Sequence, residues 1–213
     1  MQLSILVICA VVLLPCTLFC QAQFVGNGES AVSLGCGYAF NESVSGFSGG
    51  VDVTLGGKLD LSLSHGILYY SANRRGNETS AALAWYFIRR DSASTFAALL
   101  ANYRWESITM NTQEVTRKVT ANTPSLGLSI GLLPGTGMLE YAGFALQPTV
   151  IGVLTFPVGG AIFSYGFELS FFIPLSARGS LVPSFAYSHS ATERVRYKDI
   201  VGFGVHYIFI MKE

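Results

Sequence analysis

The stretch from Ala161 to Ile173 alternates, from Phe163 to Phe171, between two kinds of side chain. Its apolar and aromatic set is Ala161, Phe163, Tyr165, Phe167, Leu169, Phe171 and Ile173. The positions between them include Ser164, Gly166, Glu168 and Ser170, which are small or polar. A period of two is typical of a β-strand whose faces meet different environments, because successive side chains point to opposite faces. One face of this strand is therefore rich in aromatic rings, and the other is small or polar.

The same pattern recurs along the chain. It predicts ten strands, at residues 31–40, 46–55, 58–70, 81–90, 96–108, 124–133, 139–153, 160–173, 181–189 and 199–210. The Gly56-Gly57 pair between two alternating segments is a strong hairpin signal. The predicted lengths are close to the 9–11 residues, roughly, that a tilted strand needs to cross a bilayer.

No charged residue occurs from Tyr141 to Phe167, a length that would also suit a membrane-spanning helix. However, Pro148, Pro157 and the pair Gly159-Gly160 interrupt this stretch. Each would break or weaken a helix, whereas between strands they are ordinary turn residues. We therefore predict strands here, and no spanning helix after residue 22.

Residues 1–22 form an apolar stretch that ends in Cys20-Gln21-Ala22, and they are typical of a secretory signal peptide. Cleavage after Ala22 would leave one domain, residues 23–213, with Cys36 as its single cysteine. An exported chain with one thiol has no internal disulfide framework. An uncleaved N-terminal anchor and a lipidated Cys16 or Cys20 are the alternatives.

The charge content narrows the class of protein. Charged residues make up 12% of the chain and the formal net charge is +0, whereas ordinary soluble domains contain about 25% charged residues. The chain has no excess of basic residues that would indicate a nucleic-acid partner. We predict an all-β fold, an antiparallel up-and-down transmembrane β-barrel of about ten strands. Eight strands are possible if residues 31–40 form a periplasmic lead-in and another segment is miscounted. A secreted soluble β-barrel or sandwich is the competing fold.

Connection lengths predict an orientation, because outer-membrane barrels have short periplasmic turns and longer outer loops. With the Gly56-Gly57 turn in the periplasm, the outer connections are predicted at 71–80, 109–123, 154–159 and 190–198. The periplasmic connections are then 91–95, 134–138 and 174–180.

The end of the last predicted strand carries a specific motif: Gly204, two residues, Tyr207, one residue and Phe209. Together with the hairpin at residues 50–61, it resembles the small bacterial outer-membrane β-barrels of the OmpA and OmpX type, in the broad sense. The resemblance implies insertion through a terminal-strand signal, which here is followed by residues 210–213. It also implies a bacterial outer-membrane location, with the lipid bilayer, lipopolysaccharide and the barrel-insertion machinery as partners. The oligomeric state is left open.

The alternation assigns a set of polar side chains to the barrel interior. The predicted interior residues are Asp52, Lys58, Asp60, Arg90, Asn102, Arg104, Glu106, Glu168 and His206. Charges inside a small barrel must be paired or hydrated, since an unpaired buried charge is very costly. The set could form a structural ion-pair network or line a narrow polar path, and Arg104 is the predicted partner of Glu168.

Aromatic residues near strand ends, Tyr69-Tyr70, Trp85-Tyr86, Tyr103 and Trp105, are consistent with girdles at the two membrane interfaces. Their other interpretation is as ordinary strand residues. The three histidines, at 65, 189 and 206, are too scattered to predict a metal site, and no residue pattern indicates a cofactor.

The sequence is also consistent with two other functions. Residues Tyr187-Ser188-His189-Ser190, with Glu193 beyond, contain the groups of a serine hydrolase such as an outer-membrane lipid A deacylase. Yet adjacent strand residues point to opposite faces, so His189 and Ser190 could not easily share a proton. The charged segment from Ala191 to Lys198 could instead serve a surface interaction or adhesion protein. The preferred prediction is a non-catalytic barrel that is either structural or a narrow pore.

Overall fold

The computed structural model describes residues 24–211 except residues 27, 71–73, 90–94, 112–115, 133–139, 142–143, 158–159 and 193–197. The strands are β1 (Ser30–Phe40), β2 (Val44–Leu55), β3 (Leu59–Tyr70), β4 (Arg74–Arg89), β5 (Thr95–Asn111), β6 (Thr116–Leu132), β7 (Glu140–Tyr141), β8 (Phe144–Thr155), β9 (Ile162–Pro174), β10 (Gly179–Ser190) and β11 (Asp199–Met211). The described residues contain no helix long and apolar enough to cross a membrane.

Ten of these strands form a closed antiparallel ring. Each long strand pairs with the next along the chain, β6 pairs directly with β8, and β1 closes the ring against β11. The two-residue strand β7 pairs with β8 alone. The prediction of ten strands rather than eight is confirmed, and so is the all-β fold. Closure leaves no free edge around the ring, so the backbone groups of neighbouring strands satisfy one another.

The largest difference from the prediction lies in β4 and β6, which begin at Arg74 and Thr116 rather than at 81 and 124. The segments predicted as loops at 71–80 and 109–123 are therefore mostly strand. In β4, exposed Asn77 alternates with buried Glu78, so both faces are polar and the apolar alternation disappears. The hydrogen-bond ladder to β3 and β5 nevertheless continues.

The two faces of the ring differ as the alternation predicts. Large apolar side chains exposed on the outside include Leu34, Phe47, Leu63, Trp85, Leu99, Tyr103, Leu126, Ile130, Val150, Phe163, Tyr165, Phe167, Phe171, Phe203, Tyr207 and Phe209. A soluble barrel would bury its aromatic side chains in its core. An apolar exterior on every long strand is instead the surface that a lipid bilayer solvates.

Two of the predicted girdle pairs are split across the wall of the barrel. Tyr69 and Trp85 are exposed on the outside, whereas Tyr86 is buried and Tyr70 contacts a buried carboxylate. The girdle interpretation is thus wrong for Tyr70 and Tyr86, because neighbouring residues on a strand face opposite sides.

The interior also contains apolar clusters, which the alternation did not predict. One cluster groups Ala84, Tyr86, Phe96, Ala98, Leu100, Ile151 and Val153. A second groups Phe24, Val25, Ala31, Val182 and Ile208, with Phe172 and Ile210 packed against it. The interior is therefore a packed core in part, and small residues make room for large ones. A Cβ on Gly131, for example, would lie 2.6 Å from the Phe96 ring.

The expected contrast between short and long connections is not found. The connection between β6 and β8, at the same end as the Gly56-Gly57 turn, is the longest in sequence and spans residues 133–143. At the opposite end, β1 and β2 are joined by residues 41–43 only. What distinguishes the ends is that both Ser30 and Met211 lie beside the Gly56-Gly57 turn.

The Gly56-Gly57 turn generates a stability prediction. Both glycines have positive φ, 56° and 62°, and the Lys58 amide donates to the Leu55 carbonyl at 3.0 Å. A Cβ on Gly56 would meet nothing within 4 Å, so any cost of substitution is conformational. We expect Gly56→Val to lower the free energy of unfolding in urea by about 1–2 kcal/mol. Gly56→Asn is the control and should cost clearly less, because asparagine tolerates the left-handed region. Equal losses for the two variants would contradict this explanation.

Candidate functional site

The polar residues of the barrel interior form the candidate site. Of the nine predicted interior residues, the structure buries Asp52, Asp60, Asn102, Arg104, Glu106, Glu168 and His206. Lys58 is different: it follows Gly57 in the turn and its side chain is exposed. Strand alternation does not extend through a turn of two positive-φ glycines, which is why the assignment of Lys58 to the interior is wrong. Arg90 lies outside the described residues.

One group of interior side chains surrounds Arg104 on β3, β4 and β5, and we call it the arginine cluster. Arg104 Nη1 lies 3.6 Å from Glu78 Oε2, and both side chains are buried. The Tyr70 hydroxyl donates a hydrogen bond to Glu106 Oε1. Glu78 and Glu106 are direct register partners on neighbouring strands. Like charges placed directly opposite are destabilising, so the guanidinium between these strands offsets their repulsion.

Glu78 and Tyr70 belong to this cluster, although the sequence pattern predicts Glu78 in an outer loop and Tyr70 in an interface girdle. Steps of two from Ala82 through Ser80 place Glu78 on the inward face. The apolar half of the alternation stops at Ala81, so the pattern does not extend the strand to Glu78.

A second group lies on β1, β2, β3 and β11, and we call it the aspartate cluster. Ser33 Oγ donates to Asp52 Oδ2 at 2.8 Å, and Thr54 Oγ1 donates to Asp60 Oδ1 at 2.6 Å. His206 Nδ1 lies 3.5 Å from Asp52 Oδ2. Hydroxyl donors from neighbouring strands thus stabilise both buried carboxylates, as burial of a charge requires.

Gly35 gives His206 its place in the interior. The two residues are register partners on β1 and β11. A Cβ on Gly35 would lie 2.2 Å from His206 Cε1, so the imidazole occupies the space that any larger residue at 35 would take. A cavity of 20 Å³ adjoins Asp52 and His206, which is room for about one water molecule.

Glu168 does not pair with Arg104, and this prediction is wrong. Ser170 Oγ donates to Glu168 Oε1 at 2.8 Å on the same strand. Arg104 instead meets Glu78 across the β4–β5 pair. Arg104 on β5 and Glu168 on β9 are separated around the ring by β6 and β8.

The residues of the hydrolase hypothesis do not assemble. Ser188 and Ser190 are buried on the inward face, whereas His189 is on the outside of β10. His189 Nδ1 lies 2.9 Å from Asp199 Oδ1, and the Tyr187 hydroxyl donates to the same oxygen at 2.5 Å. Neither Ser188 nor Ser190 can therefore pass its proton to His189 in this arrangement. Glu193 and most of the charged segment from Ala191 to Lys198 lie outside the described residues.

The terminal-strand motif lies on β11, the strand that closes the ring. Tyr207 and Phe209 point outward and Gly204 pairs with Gly37 of β1. Within the described part of the chain, no group of three or more His, Cys, Asp or Glu residues could hold a metal ion.

Solved structures share this architecture, although no protein-family model and no curated protein sequence matches the chain significantly. The N-terminal β-barrel domain of Pseudomonas aeruginosa OprF matches 84% of this chain and 97% of its own, with a TM-score of 0.46 and 13% identity. The β-domain of the Bordetella autotransporter Brka matches 86% of this chain and 99% of its own, with a TM-score of 0.50 and 14% identity. The translocator domain of the autotransporter NalP from Neisseria meningitidis matches 88% and 91%, with a TM-score of 0.50 and 10% identity.

The likeness to the two autotransporter domains concerns the fold alone, because the identities are so low. In fold, the chain is a β-barrel of the outer-membrane class, as the resemblance in its sequence implied.

The arginine cluster can be tested through stability. We expect Arg104→Met to lower the free energy of unfolding by about 3–5 kcal/mol, because it leaves the buried carboxylates of Glu78 and Glu106 without a counter-charge. Adding Glu78→Gln should recover part of this loss, and urea titration monitored by tryptophan fluorescence measures both. Arg75→Met is the matched control, since Arg75 is exposed on the neighbouring strand. The arginine cluster has no special role if the Arg75 and Arg104 variants are equally stable.

The spacing of Gly35 and His206 generates a second test. We expect Gly35→Ala to cost about 1–3 kcal/mol of unfolding free energy, the usual range for overpacking. His206→Ala in the same chain should remove most of that cost, since it deletes the ring that a Cβ at 35 would strike. Gly49→Ala is the control, because its Cβ would come no closer than 3.6 Å to its nearest neighbour. A cost that persists in the double variant would show that His206 is not the obstacle.

Proposed function

We propose that the protein is a structural, non-catalytic β-barrel of a bacterial outer membrane whose interior is closed at rest. The observation that carries this proposal is the near-complete burial of interior polar side chains. Thr54 and Asp60 are each 1% exposed, and Arg104 and Glu106 are 2% and 1% exposed. Residues that line an open aqueous channel would be in contact with solvent, whereas these are in contact with one another. About eight strands give an interior that side chains just fill, and ten strands are only slightly wider.

The proposed location rests on the exterior and on the expected export signal. The apolar exterior requires a bilayer, and residues 1–22 are the expected cleaved signal peptide. Both ends of the barrel domain then lie on the periplasmic side, next to the Gly56-Gly57 turn. The polar extension of β4–β6 lies on the outer side, where lipopolysaccharide is the expected neighbour. Gly204, Tyr207 and Phe209 are the residues that the insertion machinery would recognise.

A narrow pore is the second candidate, and the polar interior favours it. Small glycine and serine residues, such as Gly66, Gly127 and Ser129, lie on the inward face together with the charged clusters. The arginine and aspartate clusters would then be its lining rather than its seal. No cofactor and no oligomeric state is part of either proposal.

The class and the location can be tested together. Expressed in a Gram-negative host, the protein should fractionate with the outer membrane and migrate on a gel at a different position before and after boiling. This heat-modifiable migration arises because a closed barrel resists detergent until it is heated. If the protein neither fractionates with the outer membrane nor changes its migration on heating, the secreted soluble barrel becomes the favoured interpretation.

The closed state is tested in planar bilayers. Folded protein, verified by heat-modifiable migration, should insert without producing conductance steps, because the described polar side chains of its interior are almost fully buried. Reproducible small steps from the same preparation would support the narrow pore and contradict the closed state.

Lipid A mass spectrometry with and without expression tests for catalysis. We expect an unchanged acyl pattern.

A further inference from the structure

Phe24 and Val25, which precede β1, lie inside the barrel at the end where the Gly56-Gly57 turn lies. Val25 is 1% exposed and Phe24 is also buried. They pack with Ala31, Val182 and Ile208, which point inward from β1, β10 and β11. We call Phe24 and Val25 the N-terminal plug. Two apolar side chains thus occupy the mouth of the barrel below its polar interior.

Specific contacts hold the plug in place. The Phe24 ring stacks on the Phe172 ring, with centroids 5.5 Å apart and planes 8° apart. The Gly28 amide donates to the Gly56 carbonyl at 3.1 Å, and the Gly56 amide donates to Ser30 Oγ at 3.3 Å. The segment is therefore docked on the turn that joins β2 and β3. It is not part of the strand ladder of the ring.

That independence separates the plug from the rest of the apolar interior. Tyr86, Phe96 and Leu100 of the other cluster belong to β4 and β5, and moving them would break ladder hydrogen bonds. Phe24 and Val25 can leave the barrel without breaking any strand pair. Their departure would cost the burial of two apolar side chains, about 1.5–3 kcal/mol each, together with the other interactions of Val25.

Among the described residues, the polar layer above the plug has an excess of acids. The buried carboxylates there are Asp52, Asp60, Glu78, Glu106 and Glu168, and the buried cationic or titratable nitrogen groups are Arg104 and His206. Asn102 and Gln147 are also buried here, and their amide groups make no hydrogen bond to described residues. Water entering this layer would provide partners for those amides. A hydrated interior would favour cations, because rings of acidic side chains select for them.

We propose that the N-terminal plug gates the barrel: displacing Phe24 and Val25 converts the closed interior into a narrow, cation-selective path. This inference rests on the proposed closed state of the intact protein. It assigns closure of the mouth beside the Gly56-Gly57 turn to two residues outside the ring, in addition to the packing of the polar interior. It assigns the ion preference of the opened state to the buried carboxylates.

The test compares the full chain with the double variant Phe24→Ser/Val25→Ser in planar bilayers under a potassium chloride gradient. Leu175→Ser is the matched control, because Leu175 lies in the β9–β10 turn at the same end of the barrel and is 60% exposed. We expect conductance steps from the double variant and none from the unmodified protein or the control. The reversal potential of the double variant should shift toward the potassium equilibrium potential.

Each outcome distinguishes the two proposals. A folded double variant that stays closed overturns the gating role of the plug. Steps with anion preference overturn the role of the interior carboxylates. If the unmodified protein already conducts, the closed state proposed above fails, while a further rise in conductance in the double variant would still support the plug.

A labelling experiment covers the case in which the double variant does not fold. In a Cys36→Ser background, Val25→Cys and Glu29→Cys each place one thiol in the segment before β1. Folded protein in detergent micelles is treated with a water-soluble maleimide. Cysteine at 25 should be protected and cysteine at 29 should react, since Val25 is buried and Glu29 is exposed. Equal labelling rates at the two positions would show that no plug forms.

Discussion

Closure of the backbone hydrogen-bond ladder is the constraint on which this structure depends. In hydrocarbon, an unpaired N–H or C=O group costs several kcal/mol, so a strand can cross a bilayer only within a ring that has no edge. The pairing of β1 with β11 provides that closure over the whole length of β1. Once the ring is closed, each position on a strand faces either lipid or the interior, and the character of every side chain acquires a structural meaning.

The interior is the more demanding of the two faces, because charged and bulky groups must fit a fixed volume. Glycine solves the problem of space: Gly35 leaves room for His206, and Gly46 leaves room for Leu68. Hydroxyl donors and one guanidinium solve the problem of charge. Ser33 serves Asp52, and Arg104 faces Glu78. These arrangements fill the barrel as a core, which is why the structural role is favoured over an open channel.

Filling by strand residues and filling by the N-terminal plug differ in one respect. Strand side chains are fixed by the ladder, whereas Phe24 and Val25 are held by packing and by the hydrogen bond from the nearby Gly28 amide to the Gly56 carbonyl. In the proposed gating, the ring provides most of the stability of the barrel, whereas the contacts of Phe24 and Val25 control its permeability. In the proposed gating, the excess of buried acids above the plug has no effect on ion passage while water is excluded, and it favours cations once water enters.

The strand number, the face of most alternating residues and the outer-membrane class of the fold follow from the sequence alone, because period-two alternation is a local property of the chain. The turn residue Lys58 is an exception. The alternation also placed Asp52, Asp60, Glu106 and His206 on the inward face. Tertiary structure decided which of them meet. Arg104 pairs with Glu78 rather than Glu168 because register brings neighbouring strands together, and register cannot be counted from one strand. The extension of β4 and β6, where both faces are polar, and the burial of Phe24 and Val25 likewise follow from contacts distant in sequence. These contacts leave no periodic pattern.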